Sequence, residues 1–259
     1  MNRIICRVLA SALPSLFCFA AFAQKDIYEI KVFLLKSTDQ VNATDRYLKE
    51  AYLPAMHRLG VGHIGVFKPL SNDTAAVQKI YVLTPYHSLQ AWQKLGASLE
   101  QDAAYKQAAG SFINADTGHL PFVRIESILL EAFPTHTQIT PAGLPLNSET
   151  LYELRSYESP TLRLHERKVT MFNQGDETGL FKRLGFNAVF YADVLSGARM
   201  PNLMYMIVFN NAQSREEHWK AFGNDPQWKK ISADPQYQNA ISVSHIDSIL
   251  MHRTDYSDL

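Results

Sequence analysis

Residues 27–35, Ile-Tyr-Glu-Ile-Lys-Val-Phe-Leu-Leu, alternate between apolar and polar positions and are rich in β-formers. That period predicts a strand. The period then lengthens. Leu48, Ala51, Tyr52, Ala55 and Leu59 recur at helical spacing across 44–59; Pro54 is expected to kink or divide this helix, and Gly60 to end it. Strands are predicted over 63–68 and 79–84, a helix over 88–95, a short helix capped by Asp102, and a last strand over 123–130.

The same succession returns in the second half. Tyr28-Glu29-Ile30-Lys31 is echoed by Tyr152-Glu153-Leu154-Arg155, and Asp102 to Lys106 by Asp225-Pro226-Gln227-Trp228-Lys229. Tyr81 aligns with Tyr205, Trp92 with Trp219, and Glu126-Ser127-Ile128-Leu129-Leu130 with Asp247-Ser248-Ile249-Leu250-Met251. Gly179 is expected to break the second-half helix where Pro54 breaks the first, and Ser214 to Glu217 reads as a capping box. Residues 134–150 hold three prolines and a glycine, and 135–150 read as a linker. Each unit, 24–134 and 151–259, runs strand, helix, strand, strand, helix, strand, the ferredoxin-like order. One such unit leaves a bare sheet face. The expected fold is therefore α+β: two tandem ferredoxin-like units forming an intrachain dimeric α/β barrel, with helices outside.

The ends and the composition narrow the setting. Arg3 and Arg7 precede an apolar run ending in Ala21-Phe22-Ala23, which predicts a signal peptide over 1–23 and a mature chain that starts at Gln24. The expected location is exported, either periplasmic or secreted. Both cysteines, Cys6 and Cys18, fall in that leader, so thiol catalysis and thiolate metal sites are excluded from the expected mature chain. Lys and Arg (25) balance Asp and Glu (25), which argues against nucleic acid as a partner. No second apolar span follows the leader, so no membrane span is expected in the mature chain. A homodimer is left open.

Strand parity suggests where chemistry would lie. Glu29 and Lys31 share one face of the first strand, as do Glu153, Arg155 and Tyr157 in its repeat. In the last strands Glu126 falls with Arg124 and Ile128, and His245 with Asp247 and Ile249. The more apolar sets suit the helix-covered faces, so these charged sets are expected to point between the two sheets. There they form either an ion-pair network or a polar pocket for a small molecule. His57 and His63 flank the first helix-to-strand turn, where the second half has Lys182 and Ala188. One of these imidazoles could serve haem; otherwise no cofactor is expected. His165 and His218 fall on helices and are expected in solvent. No metal-ligand spacing, phosphate loop or nucleophile elbow occurs.

Tyr-Glu-Leu-Arg-Ser-Tyr at 152–157, the helix ending in Leu-Gly, the run Asn202 to Ile207, Ser214 to Trp219 and Asp225 to Lys229 together resemble the NIPSNAP family. The first half lacks the Asp-Pro and has Tyr105 for tryptophan. The resemblance implies the dimeric α/β-barrel superfamily and no settled activity, because that fold serves haem-binding enzymes, cofactor-free monooxygenases and isomerases. Whether the chain is an enzyme stays open. The expected function is small-molecule binding in the polar pocket. The alternatives are a structural or protein-interaction module with an ion-paired barrel core, and haem-dependent or cofactor-free oxidoreductase or isomerase chemistry.

Overall fold

The computed structural model describes residues 24–259; the expected leader lies outside the described residues. Eight antiparallel strands form one closed barrel. The first half supplies β1 (Ile27–Leu35), β2 (Gly65–Pro69), β3 (Gln78–Tyr86) and β4 (Arg124–Ala132). The second supplies β5 (Leu151–Glu158), β6 (Asn187–Ser196), β7 (Asn202–Phe209) and β8 (His245–Arg253). The order around the barrel is β4-β1-β3-β2 and then β8-β5-β7-β6. Each half is thus a ferredoxin-like sheet, and the halves join edge to edge. One seam pairs Phe67 with Arg253, and the other pairs Leu130 with Val194. Closure pairs the outer strands of the two halves, through short seams: β2 meets β8 over Phe67–Pro69 and β4 meets β6 over Leu129–Ala132.

The helices lie outside the barrel. Helix α1 (Thr38–Tyr47) starts where the Ser37 hydroxyl accepts from the Gln40 amide. It runs through a π-turn (Leu48–Tyr52) into α2 (Leu53–Arg58). Pro54 does not divide this run. It cannot donate a helical hydrogen bond, and its ring crowds the preceding turn; the ladder widens to π spacing just ahead of it. The second-half break between α5 (Leu162–Asn173) and α6 (Glu177–Arg183) falls at Asp176, with φ 62°, and not at Gly179. Gly179 lies inside α6, where a Cβ would come within 2.0 Å of the Asp176 carboxylate.

Helices α3 (Leu89–Gln101) and α7 (Ala212–Asn224) are each 13 residues long. They lead into α4 (Ala103–Ile113) and α8 (Pro226–Ala233), whose caps are the Asp102 and Asp225 carboxylates; a short α9 (Asn239–Ser242) precedes β8. The cap of α7 is Asn211, which accepts from Ser214 N, so Ser214 is not the capping residue. Matched at their caps, Trp92 aligns with Arg215 and Gly96 with Trp219, one helical turn away from the tryptophan match expected from the sequence. Likewise Tyr81 pairs with Val32 and faces the barrel interior, whereas Tyr205 pairs with Arg155 and faces the helices. The register partner of Tyr205 is Val82, which pairs with Lys31.

Candidate functional site

On β1 and β5 the strand faces are the reverse of the expectation, whereas on β4 and β8 the expected parity holds, with Ile128 and Ile249 packed on the inner core and Ser127 and Ser248 turned outward. Tyr28, Ile30 and Val32 point into the barrel with Tyr152, Leu154, Leu130, Met206 and Met251, and they form one apolar core from both halves. Glu29, Lys31, Glu153, Arg155 and Tyr157 point outward, beneath the helices. The barrel centre is walled by sheet on all sides, so a charge there would meet no helix-borne counter-group; burying it would be costly. The outer face is covered by helices that carry such groups. The expected polar pocket between the sheets is therefore replaced by an apolar core, and the charge pairs form within each half.

In the second half the outward face is filled. Glu153 is fully buried and accepts from Arg155 Nη1 at 2.8 Å, Arg215 Nε at 2.7 Å, Trp219 Nε1 at 2.9 Å and Ser248 Oγ at 2.6 Å. Burial alone would raise its pKa; the hydrogen bonds from Arg215, Ser248 and Trp219 and the Arg155 charge outweigh burial and hold it at about 2. Arg155 also donates to Tyr157 Oη, which lies 3.2 Å from Tyr205 Oη. Beside them Lys168 and Glu177 are buried 3.7 Å apart. Burial pushes Lys168 down and Glu177 up.

The matching face of the first half is open. Glu29 accepts from Ser127 Oγ at 2.8 Å and Tyr86 Oη at 3.2 Å, with Lys31 Nζ 3.3 Å away. Burial opposes the Lys31 charge, but Tyr52 and Glu29 beside it outweigh burial and raise its pKa. Lys31 opens onto a cavity of about 300 Å³ walled by Phe33, Tyr47, Leu48, Tyr52, Val82, Phe112 and Phe122. That volume is at the small end for ligand sites. Phe33 and Val82 stand where the second half has Tyr157 and Tyr205. The two phenols fill the space that valine and phenylalanine leave free. The π-turn contributes Leu48 and Tyr52 to the wall, and π-turns recur at functional sites. The Tyr52 side chain is buried, with Lys31 Nζ 5.4 Å from its ring centroid. Tyr47 and Phe112 stack at 4.1 Å and separate the cavity from a surface cleft of about 540 Å³.

The remaining expected site residues lie elsewhere. His245 and Asp247 sit with Glu158 at one barrel mouth, where their ligand atoms lie within 4.8 Å of one another. Arg199 donates to both Glu158 and Asp247, so a guanidinium already pairs with the two carboxylates. Glu126, exposed, faces the same mouth near Tyr81, whose pKa is pushed up to about 12 by burial and then by Glu126 and Asp247, with Arg199 opposing. His63 is exposed on a left-handed residue, φ 57°, in a different cleft, and His57 Nε2 bonds to Asp258 at 3.0 Å. His165 is buried against Asp193, contrary to the expectation of solvent, and His218 is half-buried with its Nδ1 on the Ser214 carbonyl. No helix among the described residues is long and apolar enough to cross a membrane.

The NIPSNAP family model matches residues 152–258. The chain carries a NIPSNAP domain. The match begins at Tyr152 and spans the Glu153 cluster, so that cluster belongs to the NIPSNAP domain, while the open cavity belongs to the half before it. No curated protein matches the chain. Among solved structures, a "putative monooxygenase" from Fusobacterium nucleatum subsp. nucleatum is similar at TM-score 0.59 and 11% identity, over 89% of this chain and 93% of that one. A second, from Lactobacillus acidophilus NCFM, has TM-score 0.57 and 12% identity over 88% and 94%. An anthrone oxidase-like protein has TM-score 0.50 and 10% identity over 90% and 92%. At these identities the likeness is one of fold, the dimeric α/β barrel within a single chain.

Proposed function

We propose that this protein binds a small, largely apolar molecule in the first-half cavity, and that the NIPSNAP domain is a filled copy that braces the barrel. The observation that carries the proposal is the exchange of Val82 and Phe33 for Tyr205 and Tyr157 at matched positions of two like sheets. One copy is closed by phenols and ion pairs; the other keeps an aromatic-walled space with a lysine at its edge. Export is part of the same proposal: the ligand would be met outside the cytoplasm, and mature protein from its host should begin at Gln24 by intact mass.

Val82→Tyr tests the binding proposal, because it rebuilds in the first half the arrangement the second half already tolerates. Wild-type protein incubated with cell extract should retain a small molecule at one per chain in native mass spectrometry, and the variant should retain none while melting within a few degrees of wild type. Equal retention by a folded Val82→Tyr protein would place the ligand elsewhere and overturn the proposal.

A further inference from the structure

The cavity wall is apolar and aromatic except at one end. Lys31 is the one charged residue among the ten that line it. An ammonium has three donors, and the nearest carboxylate oxygen is Glu29 Oε2 at 3.3 Å. That carboxylate is shared with Ser127 and Tyr86. Lys31 therefore has donor capacity to spare at the cavity end. Tyr52 is only 3% exposed and lines the same space, with Lys31 Nζ 5.4 Å from its ring centroid. A ligand oxygen at that end would take up the spare Lys31 donor. The second half gives the contrast. There Arg155 spends its donors on Glu153 and Tyr157, and the Tyr157 hydroxyl meets Tyr205, so that end is satisfied by protein alone.

The walls define the rest of the ligand. Phe33, Phe112 and Phe122 pack edge-on or tilted against one another, and Tyr47 stacks on Phe112. Such walls favour flat rings. We propose, resting on the binding function above, that the cavity recognises a one- or two-ring aromatic compound through an acceptor oxygen attached to the ring system, held by Lys31 Nζ. The oxygen belongs to an aryl carboxylate or to an aryl ketone; both present the same acceptor beside the same ring.

Three probes of nearly equal shape test this: 2-naphthoate, 2-acetonaphthone and 2-methylnaphthalene, titrated by fluorescence into the full chain from residue 24. At least one oxygen-bearing probe should bind about tenfold more tightly than the hydrocarbon, the scale of one hydrogen bond to a charged donor. Preference for naphthoate identifies the natural ligand as the anion, and preference for acetonaphthone identifies it as the neutral carbonyl; either supports the proposal. Lys31→Met should erase the preference and leave hydrocarbon binding within about twofold. Lys31→Gln, which keeps a neutral donor without the charge, should reduce the preference at least threefold and serves if Lys31→Met fails to fold. Equal affinity for all three probes, or uniform weakening of all three by both variants, overturns the oxygen recognition. Val82→Tyr separates this from the underlying binding function. Loss of all three probes in that variant upholds the cavity whatever the oxygen result, and unchanged binding of all three, or no saturable binding of any probe to wild type, overturns cavity and oxygen recognition together.

Discussion

Glu153→Gln and Glu29→Gln alter matched positions of the two halves and should have unequal costs. Holding the Glu153 carboxyl at about 2 instead of its ordinary 4.5 corresponds to about 3 kcal/mol favouring the charged, folded form. Glutamine keeps the shape but loses that charge, and its amide N–H₂ would face the donors of Arg155, Arg215 or Trp219. The loss should therefore be on the order of 3 kcal/mol. Glu29 has one ion-pair partner, at 3.3 Å, on a lysine that can turn into the cavity, so its replacement should cost about 1 kcal/mol. With a urea m-value of about 3 kcal/mol/M for a chain of this size, the midpoints should fall by roughly 1 M and 0.3 M. The pH dependence follows from the sign. Glu153 titrates lower folded than unfolded, so its contribution is complete above about pH 5 and fades as pH falls towards 2. The gap between wild type and Glu153→Gln should close over that window. Equal midpoint shifts for the two variants, or a gap that persists at pH 2, would refute the assignment of Glu153 as the ionic centre of the NIPSNAP domain.

Other substitutions probe the same packing. Tyr205→Val removes a buried ring and the hydroxyl partner of Tyr157, and should cost roughly 3–5 kcal/mol in urea unfolding while opening a second cavity; a loss under about 1 kcal/mol would show that the phenol does not fill that space. Lys168→Met leaves Glu177 buried without its counter-group and should cost about 3 kcal/mol, whereas Lys168→Met with Glu177→Leu should return to within about 1 kcal/mol of wild type. A double variant weaker than the single one contradicts the pairing.

The fold was legible because both signals behind it are local. Period-2 alternation placed β1 at Ile27–Leu35 without error, and the Asp102 and Asp225 caps marked the starts of α4 and α8. The site was not legible, because alternation says which residues share a face and not which face is inside. Charged Glu29 and Lys31 were expected between the sheets on the premise that helices cover the more apolar set. In the barrel the sealed centre takes the most apolar set, and helices bring Arg215 and Trp219 to meet the charges. A signal was available: Arg215 and Trp219 lie four residues apart on one helix face and are the groups that could reach a buried carboxylate. The match of Tyr81 to Tyr205 failed for a related reason. A one-residue shift exchanges faces, and it concealed the pairing of Val82 with Tyr205 that leaves one half open.

A crystal structure of the chain grown with 2-naphthoate is the most direct test of the open first half and the closed second. The expected result is one molecule per chain between the helices and the sheet of the first half, its ring against Phe112 and its carboxylate on Lys31, with the Tyr157–Tyr205 region unchanged. Density for the ring inside the barrel, or beside Arg155 in the NIPSNAP domain, would contradict it.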